Sequence, residues 1–233
     1  MNDEYERIRE IKIKDGENIP NKPERMDPNV LLKRSAKLAE NFSFLIQKNE
    51  EIKLHDEVAF LIHNIYLILE SFVEMGINPT KFYNLVVDYN LKKIWPDGKL
   101  HYDQYGKCIL PDGLVFAYDD ARVELKRLSE GNVSYEHSNI NDAFNETLMV
   151  HDKCGFSKVS TPSSLDNYRK YTVLLSAIHH RDKLLNADDL LDEVVALSKL
   201  LFICMETLAE MGINPTRFID ALIEKKEKKN KKK

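Results

Sequence analysis

The sequence predicts an all-α protein, a helical bundle built from two duplicated helix–corner–helix units in one chain. Two observations carry that expectation. The heptapeptide EMGINPT stands at residues 74–80 and again at 210–216, 136 positions apart. The likeness spreads beyond it: residues 54–82 align without a gap on 190–218, with 14 of 29 positions identical. Chance does not produce that at a single offset, so the repeat reads as a duplicated helical unit.

The elements follow in order. Residues 1–26 form a polar N-terminal extension. In MDPNVLLKRSAKLAENFSFLIQ, Asp27 suits an N-cap and Pro28 the first turn of a helix. A second helix runs over 54–75, too long and too continuously apolar to be a strand. A third covers 79–91. Between the last two, Gly76 fits the left-handed position past a helix end, with Ile77 folding back on Phe72 as in a Schellman stop. Asn78 offers its side-chain oxygen as the next cap, and Pro79 presets the new first turn. EMGINPT is therefore a device for turning one helix into another, and the repeat builds the same corner twice.

The second unit, residues 166–226, places helices near 166–185, 188–211 and 215–224. The stretch 96–165 is rich in Gly, Pro, Asp, Asn and Ser, with at most a short helix near 121–128. It divides into the end of a first unit spanning 27–114 and a connecting segment, 115–165. The lysine run at 227–233 has like charges and no apolar partner, and is expected to be disordered.

Composition narrows the function classes. With 43% apolar and 31% charged residues, the chain has the make-up of a folded protein. Its 34 basic residues against 38 acidic ones, net charge −4, leave no footprint for general nucleic-acid binding. Cys108, Cys154 and Cys204 form no CxxC pair and are read as free thiols in a reducing compartment. The N-terminus carries no apolar signal segment, and the run 58–69 is broken by His63 and Asn64 and too short to cross a bilayer. A cytoplasmic protein is expected. No Walker loop, GxSxG, HExxH or dinucleotide fingerprint occurs. His179 and His180 point about 100° apart on a helix, a poor chelate.

The segments NVLLKRSAKLAENFSFL and EMGINPTKFYNLVVDYNLKKIWPDGKLHYDQYGKCILPDG, with the apolar helix between them, resemble the all-α nucleoside triphosphate pyrophosphohydrolases, the MazG and phosphoribosyl-ATP pyrophosphohydrolase superfamily. The resemblance covers roughly residues 20–114. It implies hydrolysis of a nucleotide to monophosphate and pyrophosphate, with Mg²⁺ or Mn²⁺ held by carboxylates of an EExxE pattern and a facing ExxD pattern. A hard ion needs such oxygen ligands to neutralise the phosphates and polarise a water.

This chain departs from that pattern. Ala39, Glu40 and Ser43 fall on the three EExxE positions, and Asp56, Ala59 and His63 on the facing helix. A reduced metal site would use Glu40, Asp56, His63 and Glu70, with Glu40 and Asp56 catalytic. The competing account makes His63 and Asn64 polar residues bonded within the bundle, and Asp56 and Glu57 helix N-terminal charges. In the second unit the corresponding set, Leu175, Ser176, His179, Asp192, Val195 and Lys199, cannot hold magnesium, because Lys199 brings a positive charge. Asn90, Lys93 and Lys99 match positions where the family has an asparagine and lysines near the substrate; Trp95 suits stacking on a base, though a lone aromatic beside a turn is more often core.

The expected function is thus a metal-dependent nucleotide pyrophosphohydrolase-like activity. The alternative is a catalytically inactive relative that binds a nucleotide or a protein. Either way the chain is expected to form an intramolecular pseudo-dimer, with further self-association left open.

Overall fold

The computed structural model describes residues 1–46, 53–104, 108–131, 138–155, 159 and 161–230. Within them the chain is an all-α bundle: α1 (Asn2–Lys14), α2 (Pro28–Ser43), α3 (Leu54–Glu74), α4 (Thr80–Leu91), α5 (Tyr118–Ser129), α6 (Ile140–Lys153), α7 (Asn167–Leu185), α8 (Leu190–Glu210) and α9 (Thr216–Asn230). A 3-10 turn, Phe44–Ile46, follows α2. The hairpin of β1 (His101–Tyr102) and β2 (Cys108–Ile109) is antiparallel, pairing His101 with Ile109.

The centre of the molecule is the pair of long helices α3 and α8. Both bury residues around most of their circumference, from Val58 to Val73 on α3 and from Leu191 to Ala209 on α8. A helix apolar nearly all round is stable only when enclosed. The enclosure is exchanged between the units: α4 lies on α8, α9 lies on α3, and α2 packs against both α3 and α7. α1 closes over α3 and α9, while α6 covers α4 and α8.

The repeated corner folds as its residues demand. Gly76 and Gly212 take φ of 66° and 71°. The amides of Ile77 and Ile213 donate to the carbonyls of Phe72 and Leu208, each at 2.9 Å. The side-chain oxygens of Asn78 and Asn214 then accept from Thr80 N–H at 3.0 Å and Thr216 N–H at 2.9 Å. Asp27 caps α2 through Asn29 N–H and Val30 N–H.

Glu57 and Glu193, buried at matching positions, each hold a cation from another part of the chain. Glu57 of α3 holds Lys170 of α7, and Glu193 of α8 holds Arg25 at 2.6 Å and accepts from Met26 N–H at 3.2 Å. Glu57 and Glu193 are thus cross-links between distant parts of the chain as well as first-turn charges favoured by the helix dipole.

Three expectations change. The N-terminal extension holds α1, whose Tyr5, Ile8 and Ile11 form an apolar stripe at three-residue steps and are buried. The middle stretch holds α6 as well as α5, started by a reciprocal Asn139–Asp142 capping box. Of the tail expected to be disordered, 227–230 complete α9, because Arg7 binds Glu227 at 3.0 Å and Asn230 Nδ2 donates to Ile11 O at 3.2 Å. Residues 231–233, and 105–107 within the family-like motif, lie outside the described residues. Among the described residues no helix is long and apolar enough to cross a membrane. Cys204 is buried, and Cys108 and Cys154 are half-buried, all three as free thiols.

Both corner glycines resist a side chain, but not equally. A Cβ on Gly76 would meet the Pro20 carbonyl oxygen at 2.7 Å, whereas on Gly212 its nearest contact is Val159 Cβ at 3.3 Å. Each alanine incurs the left-handed backbone penalty, about 1–2 kcal/mol. Gly76→Ala adds a backbone clash, so thermal unfolding should show a larger fall in Tm for Gly76→Ala than for Gly212→Ala.

Candidate functional site

The four side chains expected to hold a metal are engaged elsewhere. Glu40 is exposed and pairs with Lys37 at 2.9 Å. Asp56 accepts from Lys53 N–H at 3.1 Å and lies 2.9 Å from His55 Nε2, serving the start of α3. His63 is exposed, with Nδ1 2.7 Å from Ala59 O. Glu70 is clamped by Arg34, with Lys12 Nζ 3.8 Å away. Asp56, His63 and Glu70 do share a face, but seven residues is about 10.5 Å of helix rise. One ion with ligands near 2 Å cannot span that.

Among the described residues no group of three or more His, Cys, Asp or Glu side chains could hold a metal ion. The residues present do not fit Mg²⁺ or Mn²⁺. Of the competing account, Asn64 is buried and accepts from Asn41 Nδ2 at 2.8 Å, while His63 faces solvent.

Instead, Glu70 and Glu74 belong to a structural clamp. Arg34 Nη2 reaches Glu74 at 2.6 Å and Lys12 Nζ reaches it at 2.7 Å. Burial works against charge on Lys12, yet bonds to Glu17 and Glu74 more than offset it and raise its pKa. The second unit repeats the arrangement: Arg169 binds Glu210 with Nε at 2.6 Å and lies 3.9 Å from Glu206.

Three lysines without a carboxylate partner among the described residues, Lys93, Lys183 and Lys199, converge between α4, α7 and α8. A cleft of about 510 Å³ opens between α4, α7 and α8, with the hairpin and the end of α6 at its border. α4 and the turn after it supply Tyr89, Asn90 and Lys93; α7 supplies His179, His180 and Lys183; α8 supplies Lys199 and Glu206. A second cavity of about 400 Å³ shares His179, His180, Lys183 and Lys199 and adds Asp182 and Asp192.

Lys93 and Asn90 are bonded to each other at the cleft wall. Lys93 Nζ donates to Asn90 Oδ1 at 2.6 Å and sits 4.8 Å from the Tyr89 ring centroid, while Asn90 Nδ2 donates to Val86 O at 2.8 Å. Lys199 is surrounded by aromatic faces, 4.6 Å from Phe116, 5.8 Å from Tyr89 and 6.0 Å from Tyr118. Those rings give it cation–π contact. Neither Lys199 nor Lys183 pairs with a carboxylate among the described residues.

Burial and mutual repulsion weigh on the charged groups of this cleft. Burial lowers the Lys199 pKa to about 8, with Lys183 and Lys93 adding to the effect. Burial likewise lowers Lys93. His180 falls to about 3 through burial and the nearby Lys199, so its imidazole is neutral at pH 7, and its buried Nδ1 has no hydrogen-bond partner. The Glu206 carboxyl is raised by burial, against the pull of Arg169 and Lys93. Clustered, desolvated lysines with an unsatisfied imidazole nitrogen are what an anion would relieve.

The sequence expectations divide accordingly. Asn90 and Lys93 line the cleft. Trp95 and Lys99 sit in the turn beyond it: Trp95 Nε1 donates to Ile109 O at 3.0 Å and the ring stacks on His101, while Lys99 N–H donates to Asp97 Oδ1 at 3.1 Å. His180, Lys183 and Lys199 were not foreseen as binding residues. Their signal was Lys199 itself, a lysine inside an otherwise apolar helix, which in the sequence reads only as incompatible with magnesium.

No protein-family model matches the sequence, and no curated protein or solved structure matches it either.

Two outcomes follow from the charges. The folded-state pKa of Lys199 lies below its ordinary 10.5, so its charge opposes folding below about pH 8 and ceases to as pH rises toward 10.5. Lys199→Met should therefore raise Tm at pH 7, with the gain fading near pH 10. Arg34→Met, which leaves Lys12 as the cation beside Glu70 and Glu74, should cost about 1.5–3 kcal/mol in denaturant unfolding, the worth of a hydrogen bond to a charged group, whereas a divalent chelator should leave Tm unchanged.

Proposed function

We propose that the chain binds a phosphorylated small molecule of the nucleotide class in the α4–α7–α8 cleft, without a divalent ion. The observation that carries this reading is the convergence of Lys93, Lys183 and Lys199 on one cavity, with Lys93 and Lys199 lowered in pKa by burial. Lysine ammonium groups are point-charge partners for phosphate oxygens, and their bonds to anions are among the stronger hydrogen bonds. Tyr89 and Tyr102 border the same space and offer aromatic faces to a base, and Asn90 an amide for its polar edge.

The resemblance to the all-α pyrophosphohydrolases adds the nucleotide as the ligand class, through Asn90 and Lys93. Its hydrolytic chemistry needs a carboxylate cluster for the ion, and Glu40, Asp56 and Glu70 are committed to Lys37, to the start of α3 and to Arg34. A binding module is the better fit. The repeat of units within one chain, with α4 and α9 exchanged across the long helices, supports an intramolecular pseudo-dimer.

Nucleotide binding should be read by isothermal calorimetry with ATP and AMP. Lys93→Gln and Lys199→Gln should each lose about 1.5–3 kcal/mol, the worth of a hydrogen bond to a charged group, or at least tenfold in Kd. Because only protonated Lys199 attracts the phosphates, affinity should be full below about pH 8 and decline above it. Equal affinity in wild type and both variants would refute the assignment.

A further inference from the structure

The α4–α8 cleft has a counterpart on the other side of the bundle. A shift of 136 positions carries Tyr89, Asn90 and Lys93 onto Lys225, Lys226 and Lys229. The same shift carries Tyr66 and Glu70 onto Phe202 and Glu206. Both sets line cavities. The second, of about 340 Å³, lies between α2, α3 and α9 and is bordered by the three lysines, Tyr66, Glu70 and Lys37.

The chemistry of this cleft is the reverse of what its helix pattern suggests. Its one carboxylate, Glu70, is already neutralised by Arg34, with Lys12 Nζ 3.8 Å away. Lys37 is shared with Glu40 at 2.9 Å. Lys225, Lys226 and Lys229 have no carboxylate partner among the described residues; Lys228, on another face of α9, takes Glu224 at 3.2 Å. Lys226 Nζ lies 5.5 Å from the Tyr66 ring centroid, at the wall of the cleft.

These lysines are presented on a fixed helix. Ile219 and Ile223 of α9 are fully buried, and Arg7 ties down Glu227 at 3.0 Å. Lys225 and Lys229 stand one turn apart on one face, and Lys226 is about 100° round from Lys225. Three like charges at one concavity attract a compact multivalent anion and repel a metal cation.

We propose that the α2–α3–α9 cleft is a second anion site, which takes a compact polyphosphate chain, free or carried by a nucleotide, on Lys225, Lys226 and Lys229. The phosphate oxygens accept from the three ammonium groups, and Lys37 borders the site from α2. No metal takes part. The proposal stands apart from the first cleft, whose lysines lie on other elements.

Calorimetric titration of the full chain with inorganic tripolyphosphate, and in a parallel arm with ATP, tests it at physiological salt. Wild type should take up two equivalents. The triple variant Lys225→Gln, Lys226→Gln, Lys229→Gln should lose one equivalent, or bind it at least tenfold more weakly, and keep the other. The double variant Lys93→Gln, Lys199→Gln should show the opposite loss, so failure of the first cleft and failure of this one are told apart. Lys37→Gln, which leaves α9 intact, should weaken the same step as the triple variant, and circular dichroism should show full helix in every variant. An unchanged isotherm in the triple variant, a single equivalent in wild type that survives it, or a weak non-saturating signal would overturn the proposal. Similar affinities in the two arms would assign recognition to the phosphate chain itself; binding of ATP alone would overturn the polyphosphate assignment.

Discussion

Everything in this molecule answers to the burial of α3 and α8. Each spans 21 residues and is apolar around most of its surface, so neither can exist at the edge of a bundle. The chain covers them by exchange, laying α4 on α8 and α9 on α3, and by recruiting α1 and α6 as outer layers. Three hydroxyls caught inside bond within their own helix: Ser71 Oγ donates to Leu67 O at 2.8 Å, Ser198 Oγ to Val194 O at 2.8 Å, and Thr207 Oγ1 to Ile203 O at 2.6 Å. Deep in the bundle, Asn41 Nδ2 donates to Asn64 Oδ1 across α2 and α3 at 2.8 Å, while Asn64 Nδ2 is buried without a partner among the described residues.

The same burial decides where the acidic residues go. A carboxylate at the rim of a dry helix pair is tolerable only with a cation beside it. Glu57 and Glu193 take Lys170 and Arg25, Glu70 and Glu74 take Arg34, and Glu210 takes Arg169. That allocation removes Glu70 from the expected metal set. Among the described residues it also leaves Lys93, Lys183 and Lys199 without carboxylate partners on the α4–α7–α8 side, and Lys225, Lys226 and Lys229 on the α2–α3–α9 side. In each cleft the carboxylate present, Glu206 or Glu70, has an arginine beside it, and those three lysines have no carboxylate of their own.

Much of the fold was legible in the residues. The corner at Gly76 and Gly212 is a local device, fixed by a residue free of Cβ, an apolar fold-back and an asparagine cap, so short-range chemistry was sufficient to read it. The cap of Asp27 was likewise local. α1 and α6 went unread because the apolar positions they bury are few, three and four, and gain meaning only against the surfaces of α3, α4 and α8. The last turn of α9 has no local reason to fold; Arg7 and Ile11, more than 200 positions away, provide it.

The candidate site divides along the same line. The sequence by itself determined an all-α chain and the two like corners, because their chemistry is local; Asn90 and Lys93 entered only as positions matching the resembled family. Only the tertiary structure decided that Glu70 is a clamp residue and that His179, His180, Lys183 and Lys199 share a cavity with Lys93. The reason is physical. Whether a carboxylate binds a metal or an arginine, and whether a lysine is solvated or starved of counter-charge, depends on which helix lies opposite, and that is set by how α3 and α8 are enclosed.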